Sequence, residues 1–155
     1  MSIFDDVTLN GMVHNGQKVK EWYHNDVLVY QAATAYYVSF LDYPIEITES
    51  RGEVKTAETL SSGYRLRTKK NPDANEYGQV TASVSLPTQG CNKVAVKYVC
   101  SNVTDAKING STVSANGTLT FDCSGNTFEL TLQVTDSTAY YTAELLINEI
   151  YIYHV

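Results

Sequence analysis

Positive charge is scarce in this sequence: 11 lysines and arginines stand against 17 aspartates and glutamates in 155 residues, a formal net charge of −6. Binding phosphates needs a concentrated positive field, so no nucleic-acid partner is expected. Long apolar runs are missing as well. The longest uncharged stretch, Val27 to Leu41, falls short of the ~20 residues that span a bilayer, and Gln31, Thr34 and Ser39 interrupt it, so no membrane span is expected. The opening MSIFDD carries acidic residues where a secretory signal has basic ones, which argues against Sec-type export. Cysteine is limited to Cys91, Cys100 and Cys123, and each of their three pairings leaves one thiol over. Buried free thiols in a reducing compartment are the expected reading.

Chemical motifs are equally sparse. His14, His24 and His154 lie in different segments without metal-ligand spacing, so no zinc site is expected. No serine or cysteine has the context of an activated nucleophile, and no carboxylate pair supports glycosidase chemistry. The chain is therefore read as a non-enzyme with no catalytic residues and no cofactor. Glu46 with Glu49, or Asp73 with Glu76, are read as solvated loop carboxylates, and the loop 71–78 is the better place for a calcium ion. Asn102, Asn109 and Asn116 each begin an Asn-x-Ser/Thr triplet, which turn chemistry explains without glycosylation.

What the sequence does contain is alternation. Phe128, Leu130, Leu132 and Val134 alternate with Thr127, Glu129, Thr131 and Gln133, the period of a strand with one buried face. Val80, Ala82, Val84 and Leu86 do the same, as do Val94, Val96, Tyr98 and Cys100, and then Leu119, Phe121 and Cys123. In the last segment Leu146, Ile150 and Ile152 fall on one face and Ile147, Tyr151, Tyr153 and Val155 on the other, which predicts a central strand covered on both sides. Turn signals separate these runs at Asn109-Gly110, Asn116-Gly117 and Ser124-Gly125-Asn126. The fold class is all-β: an antiparallel jelly-roll β-sandwich over residues 33–155, preceded by a small N-terminal β-hairpin or meander over residues 1–32.

The N-terminal segment has turn pairs at Asn10-Gly11, Asn15-Gly16 and Asn25-Asp26. A ribbon of two or three strands cannot bury enough apolar surface alone, so it is expected to dock on a partner. Its apolar residues Val19, Trp22, Tyr23, Val27, Val29 and Tyr30 are the candidate partner contacts. The basic cluster Arg65, Arg67, Lys69 and Lys70 is read as a solvated strand edge that discourages pairing.

Tyrosine is abundant, with 12 residues against one tryptophan, and includes the pair Tyr36-Tyr37. An exposed tyrosine surface binds sugars by stacking and hydroxyl hydrogen bonds, and equally suits a protein interface. Tyr140, Tyr141, Tyr151 and Tyr153 are the glycan-binding candidates.

The run from Val13 to Tyr30, VHNGQKVKEWYHNDVLVY, resembles a hairpin motif of tail and other virion proteins from bacteriophages and prophages of Gram-positive hosts. Its second turn is Asn-Asp where the motif has Asn-Gly. The remainder, ending in Glu149-Ile150-Tyr151-Ile152-Tyr153, is similar to the jelly rolls of carbohydrate-binding modules and phage accessory domains. The resemblance implies a virion structural component of the tail or baseplate, assembled in the host cytoplasm. Its implied partners are other virion proteins, further copies of itself within the particle, and a host cell-surface glycan. A free carbohydrate-binding module and a capsid decoration protein are the alternatives.

Overall fold

The computed structural model describes residues 35–155 in full, and before them Asn25 and the backbone of five short strands. These are β1 (Val7–Thr8), β2 (Gly11–His14), β3 (Gln17–Lys18), β4 (Glu21–His24) and β5 (Val27–Gln31). Among the described residues they pair only with one another: β1 with β2, β2 with β3, and β4 with β5. His14 pairs with Gln17 and His24 with Val27, while Asn15-Gly16 and Asp26 of the expected turns lie outside the described residues. Asn25 has the positive φ, 50°, that such a turn requires. The expected turn at Asn10-Gly11 is corrected at its second residue. Thr8 pairs with Gly11, so Gly11 already belongs to β2 and does not form the turn.

The larger body consists of β6 (Ala35–Tyr37), a 3-10 turn (Phe40–Asp42), β7 (Glu46–Arg51), β8 (Val54–Leu60), β9 (Gly63–Lys69), β10 (Gly78–Pro87), β11 (Lys93–Ser101), β12 (Asp105–Ile108), β13 (Ser111–Thr112), β14 (Asn116–Asp122), β15 (Thr127–Asp136) and β16 (Ala143–Tyr153). Two antiparallel sheets result. One has the order β13-β12-β15-β10-β7, and the other β14-β11-β16-β9-β8, with β6 beside the distal half of β16. Within β9 to β16 one sheet runs first, eighth, third, sixth and the other second, seventh, fourth, fifth. That is the double Greek-key winding of a jelly roll, and β7 and β8 extend its two sheets.

The alternating residues fill the space between the sheets. Val80, Ala82, Val84, Leu86, Phe128, Leu130, Leu132 and Val134 enter from one side, and Leu66, Val94, Val96, Leu145, Ile150 and Ile152 from the other, all buried. Each of these side chains other than Ala82 contributes ~1.5–3 kcal/mol of burial free energy relative to exposure.

Three expectations need correction. The segment Asn116-Gly117 is strand, not turn; the reversal precedes it, with Ala115 at φ 59°. A Cβ at position 117 would lie 2.8 Å from the Tyr98 hydroxyl, so any larger residue there must displace that ring. Strand β9 is not an edge, because β8 flanks it on one side and β16 on the other. Its arginines are paired, Arg65 with Glu58 at 2.6 Å and Arg67 with Glu144 at 2.9 Å. Those carboxylates come from neighbouring strands, so sequence position did not reveal them.

The third correction concerns β16, which is central as expected but not covered on both faces. Lys97 of β11 pairs with Glu149, and the next residue, Tyr98, pairs with Ile147, which leaves Asn148 as the extra residue of a β-bulge. The bulge shifts the alternation by one. Ala143, Leu145 and Ile147 point inward before it, and Ile150 and Ile152 after it. Leu146 is half-buried on the outer face, while Asn148 and Glu149 are both exposed. Gly63 faces the bulge: a Cβ on it would come within 2.0 Å of the Ile147 carbonyl oxygen.

Candidate functional site

The bulge turns Tyr151 and Tyr153 outward, and their position along β16 sets their neighbours. Tyr151 pairs with Tyr37 of β6 on one side and with Ala95 of β11 on the other. Tyr153 pairs with Ala35 and Lys93. The result is a row of three tyrosines on the outer face of the sheet. The rings of Tyr151 and Tyr153 stack at 5.2 Å with 20° between planes, and Tyr37 meets Tyr151 at 4.8 Å and 40°. Side chains two apart on a strand that stack in this way stand up from the sheet and present edges and hydroxyls outward. Tyr37 is 65% exposed and keeps ring surface toward solvent.

A shallow floor lies beside this wall. Ala95 has no bulk above Cβ, and beyond it β14 places Thr120 opposite Ala95 and Thr118 opposite Lys97. Lys93 pairs with Asp122 across the strands, and this hydrogen-bonded carboxylate, then its charge, raises the Lys93 pKa, with Tyr153 adding to the effect. Lys97 lies opposite Glu149. The face therefore offers hydroxyls and aromatic surface with its charges balanced.

Beneath it, Tyr36 points inward and donates its hydroxyl to the Pro87 carbonyl. Burial first, then Tyr43, Cys91 and Cys123, pushes its pKa up to about 12. Tyr64 donates to the Tyr43 carbonyl at 2.5 Å, and burial, with Tyr43, pushes it also to about 12. These two phenols hold the strap that leads into the sheet; they take no part in the outer face. None of the three cysteines forms a disulfide among the described residues. Of the three thiols expected to be buried, Cys91 is buried, while Cys100 and Cys123 are half-buried against the core; desolvation is the largest cause that raises the pKa of each.

The four expected glycan-binding tyrosines do not converge. Tyr151 and Tyr153 share the row just described, whereas Tyr140 (81% exposed) and Tyr141 (68% exposed) sit in the loop before β16, at the opposite end of the same strand. The sequence reading missed Tyr37 as their companion. Its only signal was the Tyr36-Tyr37 pair, of which strand alternation sends one inward and one outward. Asp136, itself fully buried, anchors the loop of Tyr140 and Tyr141. It accepts the backbone N–H groups of Lys70 (2.8 Å), Thr138 (3.1 Å) and Ala139 (3.3 Å), and the Thr138 hydroxyl at 2.9 Å. Burial alone would raise its pKa; those donors outweigh burial and hold it below the ordinary 3.8.

Of the docking candidates, Val19 lies outside the described residues. Trp22 and Tyr23 belong to β4, and Val27, Val29 and Tyr30 to β5, with Trp22 paired to Tyr30, but their side chains lie outside the described residues. The loop 71–78 is closed by paired backbone bonds between Asn71 and Glu76. The Asn71 carboxamide oxygen accepts from Asp73 and Ala74 within it. No group of three or more His, Cys, Asp or Glu among the described residues could hold a metal ion. Glu49 is engaged by Arg51 at 2.8 Å, and Glu46 lines a depression of about 340 Å³ on the other sheet, with Tyr43, Ser85 and Glu129. No described helix is long and apolar enough to cross a membrane.

No family model and no curated protein matches this chain. Among solved structures it is similar to the xylan binding module CBM86 from Roseburia intestinalis, at 12% identity and a TM-score of 0.43, over 77% of this chain and 93% of that one. It also resembles a family two carbohydrate esterase from Cellvibrio japonicus (11% identity, TM-score 0.38, 79% of this chain and 34% of that one). A third is CBM29_1, a family 29 carbohydrate binding module from Piromyces equi (12% identity, TM-score 0.29, 79% and 91%). At such identities and TM-scores the likeness assigns no function.

Proposed function

We propose that this chain is a non-catalytic glycan-binding module, and that the row of Tyr37, Tyr151 and Tyr153 is its binding surface. The observation that supports the reading is the outward aromatic row itself. Three adjacent tyrosines stand on a solvent-facing sheet beside a floor made by Ala95 and hydroxyls from Thr118 and Thr120. Aromatic surface with neighbouring hydrogen-bonding groups suits a sugar, whose ring faces are apolar and whose rim is all hydroxyl. The test is binding of the full chain to immobilised polysaccharides, compared with Tyr37→Ala, Tyr151→Ala and Tyr153→Ala. Loss of a stacking contact of ~1–1.5 kcal/mol should weaken binding about tenfold in each. Unchanged binding in all three would end the proposal.

The second reading keeps this face and adds an address in a virion, of the tail or baseplate or as capsid decoration, among further copies of the chain. In its favour stand the paired backbones of β2 with β3 and of β4 with β5, in the stretch that carries the virion resemblance. Residues 1–32 would then be the docking element, through Val19, Trp22, Tyr23, Val27, Val29 and Tyr30. Removing residues 1–32 should abolish incorporation into particles; particles that retain the shortened chain would exclude this address.

A further inference from the structure

The outer face that carries the tyrosine row does not stop at it. Strand β16 runs from Tyr153 back to Ala143, a length of roughly 35 Å at ~3.3 Å per residue. At its far end lies a second depression of about 360 Å³, lined by Arg67, Ser101, Asn102, Thr142 and Glu144. Ser101 pairs with Glu144, and Glu144 with Arg67, so the depression opens on the same face as Tyr151. Between the two ends the surface is Glu149 beside Lys97, then half-buried Leu146 beside half-buried Val99. Among the described residues no strand pairs across this path.

Charge along the path is balanced pair by pair. Arg67 is held by Glu144, Arg65 by Glu58, Lys69 faces Glu53 at 3.9 Å, Lys93 is held by Asp122, and Lys97 lies opposite Glu149. A face on which each cation already has a carboxylate beside it provides no field for an anionic chain. What it offers are hydroxyl and amide donors and acceptors and the tyrosine rings.

We infer that the glycan is a neutral polymer lying along β16, with the depression at Arg67, Ser101, Asn102, Thr142 and Glu144 as a second contact site. This rests on the glycan-binding reading of the tyrosine row. One chain engaging both ends gains avidity that a short fragment, reaching only one end, does not have. Exposed Tyr140 and Tyr141 directly precede Thr142 in the chain.

The experiment measures binding of the full chain to hydroxyethylcellulose, galactomannan, arabinoxylan and dextran, which are neutral, and to polygalacturonate and hyaluronate, which are anionic. Short and long oligosaccharides of the best backbone follow. The expected result is a neutral ligand whose affinity rises about 10²-fold from the shortest to the longest chain. The double variant Asn102→Gly, Thr142→Ala should reduce long-chain affinity about tenfold and leave the short fragment unaffected; glycine keeps the φ of 56° at position 102 accessible. An unchanged melting temperature of that variant shows that the loss is local. Equal affinity for short and long chains, a silent double variant, or preference for an anionic polymer would overturn the inference while the tyrosine row stands. Binding to none of the six polymers would overturn both.

Discussion

At the residue scale, single side chains decide where the loops and strands can go. Asp136 is buried and accepts four hydrogen bonds that tie Lys70, Thr138 and Ala139 together. Asp136→Asn replaces one acceptor oxygen by a donor amide facing donors, and should cost ~2–3 kcal/mol, checked by urea denaturation. Because the folded pKa is below the unfolded value, this carboxylate stabilises the fold above about pH 4 and loses that contribution as pH falls through the folded pKa. Stability of the wild type should therefore drop at acid pH in a way that Asp136→Asn flattens. Gly63 is a second case. With the Ile147 oxygen 2.0 Å from any added Cβ, Gly63→Ala must displace the β16 backbone and should lower stability by ~1–3 kcal/mol. Composition alone marks neither residue, since each meets a backbone group far away in the chain, Lys70 for Asp136 and Ile147 for Gly63.

At the element scale, β16 carries both the core and the candidate site, and one residue separates the two roles. Without the bulge at Asn148, strict alternation would place Tyr151 and Tyr153 on the face that Ala143, Leu145 and Ile147 present to the core. A one-residue slip moves a whole set of side chains to the other face. Deleting Asn148 alone leaves Ile147, Glu149, Ile150 and Tyr151 in strict alternation on the faces they already hold and should be tolerated. Deleting Asn148 and Glu149 together would send Ile150 and Ile152 outward and Tyr151 and Tyr153 inward, and is expected to abolish cooperative folding or to lower the melting temperature by more than 10 °C, an effect of ~2.5 kcal/mol or more in a chain of this size, read by circular dichroism. The sequence showed β10, β11 and β15 with their inward residues because each is an unbroken alternation. It showed β16 as a strand but misread its faces, since a bulge is set by the pairing with β11 and not by the strand's own composition. Strand β8 gave almost no signal. It is an edge strand, Val54 to Leu60, of half-buried residues apart from exposed Lys55 and Thr56, with a weak hydrophobic pattern.

At the scale of the whole molecule, the sandwich closes around its own core, and the described strands of residues 1–31 pair only with one another. Residues 33–155 should accordingly fold alone, with a melting temperature within about 3 °C of the full chain, as measured by calorimetry; a fall of more than about 10 °C would show that the N-terminal strands support the sandwich. Local pattern determined the class of this protein, the inward residues of its long strands and the hairpin turn at Asn109-Gly110, where φ is 47° and 79°. Those features depend on near neighbours, and period-two alternation and Asn-Gly chemistry record them directly. The order of strands, the phase of β16, the pairing of Arg65 and Arg67, and the meeting of Tyr37 with Tyr151 and Tyr153 were decided only in three dimensions. Each depends on contacts between segments far apart in the chain, such as Tyr37 and Tyr151, and no local pattern encodes which strand will lie beside which.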